Sequence, residues 1–245
     1  MSHGLLTIVS YRYSKSIDEL SYGDSACACG NQTWPQNLKT ERGPSDFDAT
    51  HSLTWSGTWD LPIWRDRNDL VGKLAGGWQI SGIMTAHSGY PWTPVTGVCI
   101  ETPGGPGLCP TRPIAQIATP LNDHSNAAFT RPGGDFPGGG SKYFVANPNF
   151  ASPLPPGIGR NSFRGPRYWA TDFSMAKAYR LSDIRALGEA ARIEIRANFF
   201  NIFNQENLQP FLFDSNATHF DRPTFGQADA GLAGRVVEFQ GRLSF

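Results

Sequence analysis

The sequence predicts an all-β chain, an antiparallel, up-and-down transmembrane β-barrel segment of about six long strands that together form an incomplete barrel. Three observations predict it. The last eleven residues alternate cleanly: Phe245, Leu243, Gly241, Phe239 and Val237 share one face of an extended chain, while Ser244, Arg242, Gln240, Glu238 and Val236 share the other. The same two-residue period returns in several other segments. The connections between those segments also alternate between long and short, as they do when long loops lie outside a membrane and short turns lie inside. An apolar face against lipid and a polar face against a wet lumen give this period a direct physical cause.

The six strands are expected at residues 5–17, 46–61, 77–93, 167–181, 190–204 and 227–245. In the first, Leu5, Thr7, Val9, Tyr11 and Tyr13 alternate with Leu6, Ile8, Ser10, Arg12 and Ser14. In the second, Leu53, Trp55, Gly57, Trp59 and Leu61 oppose Ser52, Thr54, Ser56, Thr58 and Asp60. The third sets Trp78, Ile80, Gly82 and Met84 against Gln79, Ser81, Ile83 and Thr85, and the fourth sets Trp169, Thr171, Phe173 and Met175 against Tyr168, Ala170, Asp172 and Ser174. The fifth sets Ile193, Ile195, Ala197 and Phe199 against Arg192, Glu194, Arg196 and Asn198. Trp55, Trp59, Trp78 and Trp169 are expected in the aromatic girdles at headgroup level. Counting back from the final strand makes 182–189 and 62–76 inner turns, and 19–45, 94–166 and 205–226 external loops. The turn from Pro62 to Lys73 carries five charged residues and reads as a solvated turn. Residues 96–165 hold 12 glycines and 11 prolines among 70 residues with eight charges, which predicts a long loop without regular ladders.

Composition bounds the function. The 245 residues carry 21 basic and 21 acidic side chains, so no global field points to nucleic acid. A 12% aromatic content is too rich for a disordered chain. A mean hydropathy of −0.35 is compatible with membrane strands, of which only alternate residues meet lipid. Residues 1–16 lack the basic start and small-residue cleavage site of a secretory leader, and they read as a strand instead. The chain is therefore expected to be the carboxy-terminal part of a longer protein.

Particular residues carry a family likeness. Asn198-Phe-Phe-Asn-Ile-Phe-Asn204, then Phe225-Gly226, then a terminal strand ending in Phe245, resemble the end of the β-barrel of TonB-dependent outer-membrane receptors. Leu61-Pro62, Gly76-Gly-Trp-Gln-Ile-Ser-Gly-Ile83 and Ser88-Gly-Tyr-Pro91 resemble the later barrel of Oar-like members, and Ser14-Lys-Ser-Ile-Asp18 fits the strand before them. The resemblance implies residence in the bacterial outer membrane. It implies uptake of scarce ligands such as siderophores, vitamins or oligosaccharides, powered by the TonB complex through an amino-terminal plug domain that residues 1–245 do not contain. It also implies that Phe239, Leu243 and Phe245 form the address read by barrel-assembly machinery. The implied partners are thus outer-membrane lipid, that machinery and, through the missing plug, TonB.

Catalytic chemistry finds no foothold. His3, His51, His87, His124 and His219 are scattered without metal-ligand spacing, and no nucleophile elbow occurs. Gly138-Gly-Gly-Ser-Lys142 lacks the order and the following helix of a phosphate cradle. No enzyme activity and no cofactor are expected. Cys27, Cys29, Cys99 and Cys109 all fall in expected external loops, where disulfides persist. Of the three pairings that four cysteines allow, Cys99 with Cys109 is favoured, with bonds between loops or free thiols as alternatives. The competing class is a soluble secreted β-sandwich, a binding or adhesin module, whose apolar faces would be buried against a second sheet.

Overall fold

The computed structural model describes residues 4–21, 34, 37–64, 69–96, 100–102, 105–108, 111–119, 125–148, 154–180, 191–212 and 215–244. Six strands form one wall: β1 (Leu5–Tyr13), β2 (His51–Asp60), β3 (Trp78–His87), β4 (Tyr168–Arg180), β5 (Arg192–Phe200) and β6 (Val236–Ser244). They pair in chain order and always antiparallel, with β1 and β6 as the two edges, so among the described residues the wall is open. No helix among the described residues is long and apolar enough to cross a membrane.

The strands are shorter than the sequence pattern predicts, and the reasons are local. Past His87 the chain leaves the wall: Pro91–Trp92 pairs with Phe163–Arg164 in a separate two-stranded ladder. Asn201 and Asn204 take left-handed φ values of 50° and 51°, which turns the chain away after Phe200. Leu208 bridges Gly231, and the Arg235 N–H donates to Asn204 Oδ1 at 3.0 Å, so β6 begins only at Val236.

Register fixes which residues share a face. Leu5 lies opposite Trp59, Trp59 opposite Ile80, Ile80 opposite Met175, Met175 opposite Ala197 and Ala197 opposite Phe239. Partners across a ladder project to the same side, so this row is apolar from edge to edge. The row through Thr7, Gly57, Gly82, Phe173, Phe199 and Val237 follows it. Here the Trp55 indole lies across two glycines. A Cβ at Gly57 would come within 3.1 Å of the ring and one at Gly82 within 3.3 Å, while Trp55 Nε1–H donates to Thr7 Oγ1 at 2.8 Å. Trp55 therefore fills a trough in the middle of the wall and is not part of a rim girdle.

The hydrophobic core lies outside the wall. The connections β1–β2, β3–β4 and β5–β6 emerge at one end and pack together as a cap. Its core joins Trp92, Phe129, Phe136, Phe144, Leu208, Phe211, Phe220 and Phe225, with Phe129 and Phe225 fully buried. The prediction that residues 96–165 hold no ladder is corrected: Ile100–Thr102 pairs with Gly105–Leu108, Ala115–Gln116 pairs with Phe144–Val145, and a short helix spans Asn126–Thr130. Glycine makes tight reversals possible here instead of disorder. At Gly134 (φ 49°) any Cβ would sit 1.7 Å from Gly226 O, so two backbones meet where a larger residue has no room. The aromatic rings thereby close on one another, and their burial offsets the ordering cost of the loop.

Candidate functional site

Two surfaces carry the chemistry, the outward face of the wall and the cap above it. The outward face begins at the cap end with Tyr11, Tyr13 and Trp169, continues through Leu53, Met84, Phe173, Ile195 and Phe239, and ends with Trp59, Trp78 and Tyr179. From Trp169 to Tyr179, β4 advances ten residue steps. At ~3.4 Å per residue and the ~45° inclination of membrane strands, that distance is about 24 Å of height. The apolar band of a membrane barrel is ~25 Å tall and carries an aromatic girdle at each rim, so the dimensions agree.

Exposure decides between lipid and a second protein layer. Trp55 is 37% exposed, Ile195 41%, Leu243 48% and Phe239 83%, and among the described residues no second sheet covers them. In a β-sandwich the same side chains would be buried against a second sheet, which the described residues do not supply. The opposite face is mostly polar, with Ser, Thr and Asp on β2 to β4 and charges on β5 and β6, interrupted by the exposed Leu6, Ile8, Ile83 and Val236. Glu194 lies opposite Arg242 in register, and Arg196 Nη2 stands 2.9 Å from Glu194 Oε1.

In the cap, three arginines clamp two loops together. Arg112 is 2% exposed and reaches Glu41, 1% exposed, at 2.6 Å; its Nη1 also donates to Thr40 O and Ile158 O, each at 3.0 Å. Arg160 pairs with Asp18 and, at 3.3 Å, with Asp46. Arg164 donates to Asp48 Oδ2 at 2.6 Å. Burial pushes the Arg112 and Arg160 guanidinium groups below their ordinary value. Burial by itself raises the Asp48 carboxyl, but Arg164, the Ser16 N–H and the Thr50 hydroxyl outweigh it and hold Asp48 below the usual carboxylate range. These groups lie 71 to 142 residues apart in sequence wherever they bridge the two loops, so no local motif announces them.

Beside the clamp lies a cavity of about 220 Å³ walled by Phe47, Tyr90, Trp92, Phe211 and Leu212, with Asp46 and Asn161 at its polar side. Asn161 Nδ2 donates to Asp46 Oδ1 at 2.5 Å, and the Asn161 N–H donates to Thr93 Oγ1 at 2.8 Å, which fixes that polar edge. Among the described residues no group of three or more His, Cys, Asp or Glu side chains could hold a metal ion.

A wall with one apolar, lipid-compatible face and one mostly polar face calls for a membrane-barrel family, and the sequence comparison supplies it. The family model for the outer membrane beta barrel domain matches residues 1–238. The chain belongs to this family. As an outer membrane beta barrel domain protein it resides in the bacterial outer membrane, and its six-stranded sheet is an incomplete barrel. No curated protein and no solved structure matches it. Among the sequence-predicted site residues of this barrel, Phe239 and Leu243 project from the outward face of β6. Both lie beyond the matched stretch, as does Phe245, which is outside the described residues. Cys27, Cys29, Cys99 and Cys109 also lie outside the described residues, as does the proposed Cys99–Cys109 pairing. Sequence reading missed the three arginine clamps and Lys177, a cation in the middle of an apolar alternation.

Proposed function

We propose that this chain forms part of the wall and the external cap of a TonB-dependent, Oar-like receptor that imports a scarce ligand across the outer membrane. The observation that carries the reading is the joining of a lipid-facing wall to an ordered cap with a cavity lined by rings and polar groups. A passive wall needs only short polar loops. An ordered pocket at the loop end gives a ligand somewhere to dock before passage. The Asn198–Asn204 and Gly76–Ile83 motifs support the TonB-dependent class by resemblance. In this reading lipid surrounds the wall, barrel-assembly machinery reads Phe239, Leu243 and Phe245, and the TonB complex acts through a plug domain supplied outside these residues. The proposal includes no catalytic step and no cofactor.

The test is a gene deletion in the native host, grown with single siderophores, cobalamin or oligosaccharides as the limiting nutrient. The expected result is a growth defect on one nutrient, restored by the intact gene and adding nothing to the defect of a strain already lacking TonB. Unchanged growth on every nutrient, or a defect that persists additively without TonB, would remove the receptor assignment. Deletion of Phe245 is expected to lower the amount of heat-modifiable barrel in outer-membrane fractions, and an unchanged amount counts against the assembly address.

A further inference from the structure

At the end of the wall opposite the cap, the β2–β3 connection folds into a short helix, α1 (Leu70–Ala75). Asp69 caps its start, accepting from the Gly72 N–H at 3.0 Å. Its other end is held in an unusual way. Lys177 sits on the outward face of β4, opposite Trp78 and Ile195 in register, yet is only 4% exposed. Its ammonium donates to Lys73 O at 2.6 Å, to Leu74 O at 3.0 Å and to Gly76 O. Trp78 Nε1–H adds a bond to Leu74 O at 3.2 Å. The Trp78 and Tyr179 rings flank the cation, their centroids 5.7 Å and 4.7 Å from it. A buried cation is costly unless it is fully partnered, and here its partners are the carbonyls that the helix end leaves unsatisfied. The helix is therefore fastened to the outward side of the wall and not to the lumen side.

So fastened, α1 presents an apolar surface that nothing in the described chain covers. Leu70 is 73% exposed, Leu74 60% and Val71 45%, and Ile63 and Trp64 beside the helix are 50% and 48% exposed. In water such a patch is a liability. Here it continues the lipid-facing surface just past the Trp78 and Tyr179 rim, with the exposed Lys73 among the apolar residues. An apolar surface with a basic side chain, set at the girdle of a membrane wall, has the chemistry of an interfacial helix. We propose that α1 is a membrane foot: it lies in the headgroup boundary of the leaflet at the short-turn end, sets Leu70, Val71 and Leu74 among phospholipid acyl chains, and is tied to the wall by Lys177. Within the turn that reads from sequence as a solvated, charged connection, Leu70, Val71 and Leu74 are thus lipid contacts, while Arg65, Asp66 and Arg67 lie outside the described residues. The inference rests on the outer-membrane wall and not on the TonB-dependent reading.

The test places photoreactive p-benzoylphenylalanine singly at Leu70, at Leu74 and, as an inward-facing control, at Gln79 of the full-length protein. Outer membranes are irradiated, and adducts on the heat-modifiable, assembled fraction are read by mass. The expected result is a phospholipid adduct at Leu70 and Leu74, at least several-fold above Gln79. In a Lys177→Met background the Leu74 adduct is expected to fall while the Leu70 and Leu74 variants still assemble. Adducts to a protein at these positions, or none above the Gln79 control, would overturn the lipid foot. An undiminished Leu74 adduct in assembled Lys177→Met protein would overturn the tie.

Discussion

Adjacent residues on β4 give the sharpest test of the wall. Met175 belongs to the outward row with Ile80 and Ala197, whereas Ser174 faces inward beside Ser81 and Asn198. Both lie near the middle of the stretch from Trp169 to Tyr179, about 10–14 Å from either rim by the same rise and inclination. An arginine at the bilayer midplane on the lipid face of a barrel costs about 2–4 kcal/mol. Met175→Arg is therefore expected to lower the folding equilibrium constant by roughly 30- to 700-fold, at ~1.4 kcal/mol per tenfold. Ser174→Arg places the same charge in the wet interior. It forfeits the 2.8 Å bond from Ser174 Oγ to Asn198 Oδ1, a net loss of about 1 kcal/mol. The measurement is equilibrium unfolding in urea in phosphatidylcholine vesicles, followed by tryptophan fluorescence and checked by heat-modifiable migration. If Ser174→Arg proves as costly as Met175→Arg, or if Met175→Arg is neutral, the two faces have been assigned to the wrong solvents.

Three further outcomes concern the cap. Glu41→Ala leaves Arg112 buried without its carboxylate and is expected to destabilise the cap by about 3–5 kcal/mol; protease should then cleave the loops of surface-exposed protein while the wall keeps its heat-modifiable migration. Asp48 titrates below its ordinary 3.8 in the folded cap, so its contribution is complete above that pH and is lost as the pH falls through the lowered value. Asp48→Asn lacks this contribution, and near-ultraviolet dichroism should show the variant and parent converging in stability as the solution is acidified below pH 3.8. Gly140→Ala puts a methyl 2.3 Å from the Phe225 ring, which has no room to yield, and should cost the cap about 1–3 kcal/mol or more, read as a lower melting transition.

The wall was legible in the sequence because its physics is local. A period of two tells which solvent each side of a strand meets, and the rows through Trp59 and Phe239 repeat that statement strand after strand. Parity of the connections then ordered the strands correctly. Strand ends were less legible, since Asn201 and the Pro91–Trp92 ladder end pairing through tertiary contacts. The cap was not legible. Its high glycine and proline content reads as an absence of ladder, yet Trp92, Phe136 and Phe225 come from segments far apart in the chain and meet only in three dimensions. The Arg112–Glu41 pair spans 71 residues, a separation at which no pattern in the letters marks a partner. In sequence Lys177 interrupts the apolar alternation between Met175 and Tyr179. Its explanation lies in the carbonyls of a helix a hundred positions earlier.

The shared aromatic core bears on how this surface can be engineered or diversified. Loops on many display scaffolds are exchanged one at a time because each is an independent graft. Here Phe136 leans on Phe225 from another connection, with ring centroids 4.4 Å apart, and Arg160 reaches back to Asp18 in a third. The three crossings are interlocked, so a transplant or chimera must carry them as one cassette, and foreign epitopes belong only in stretches that contribute no ring or guanidinium to the joint.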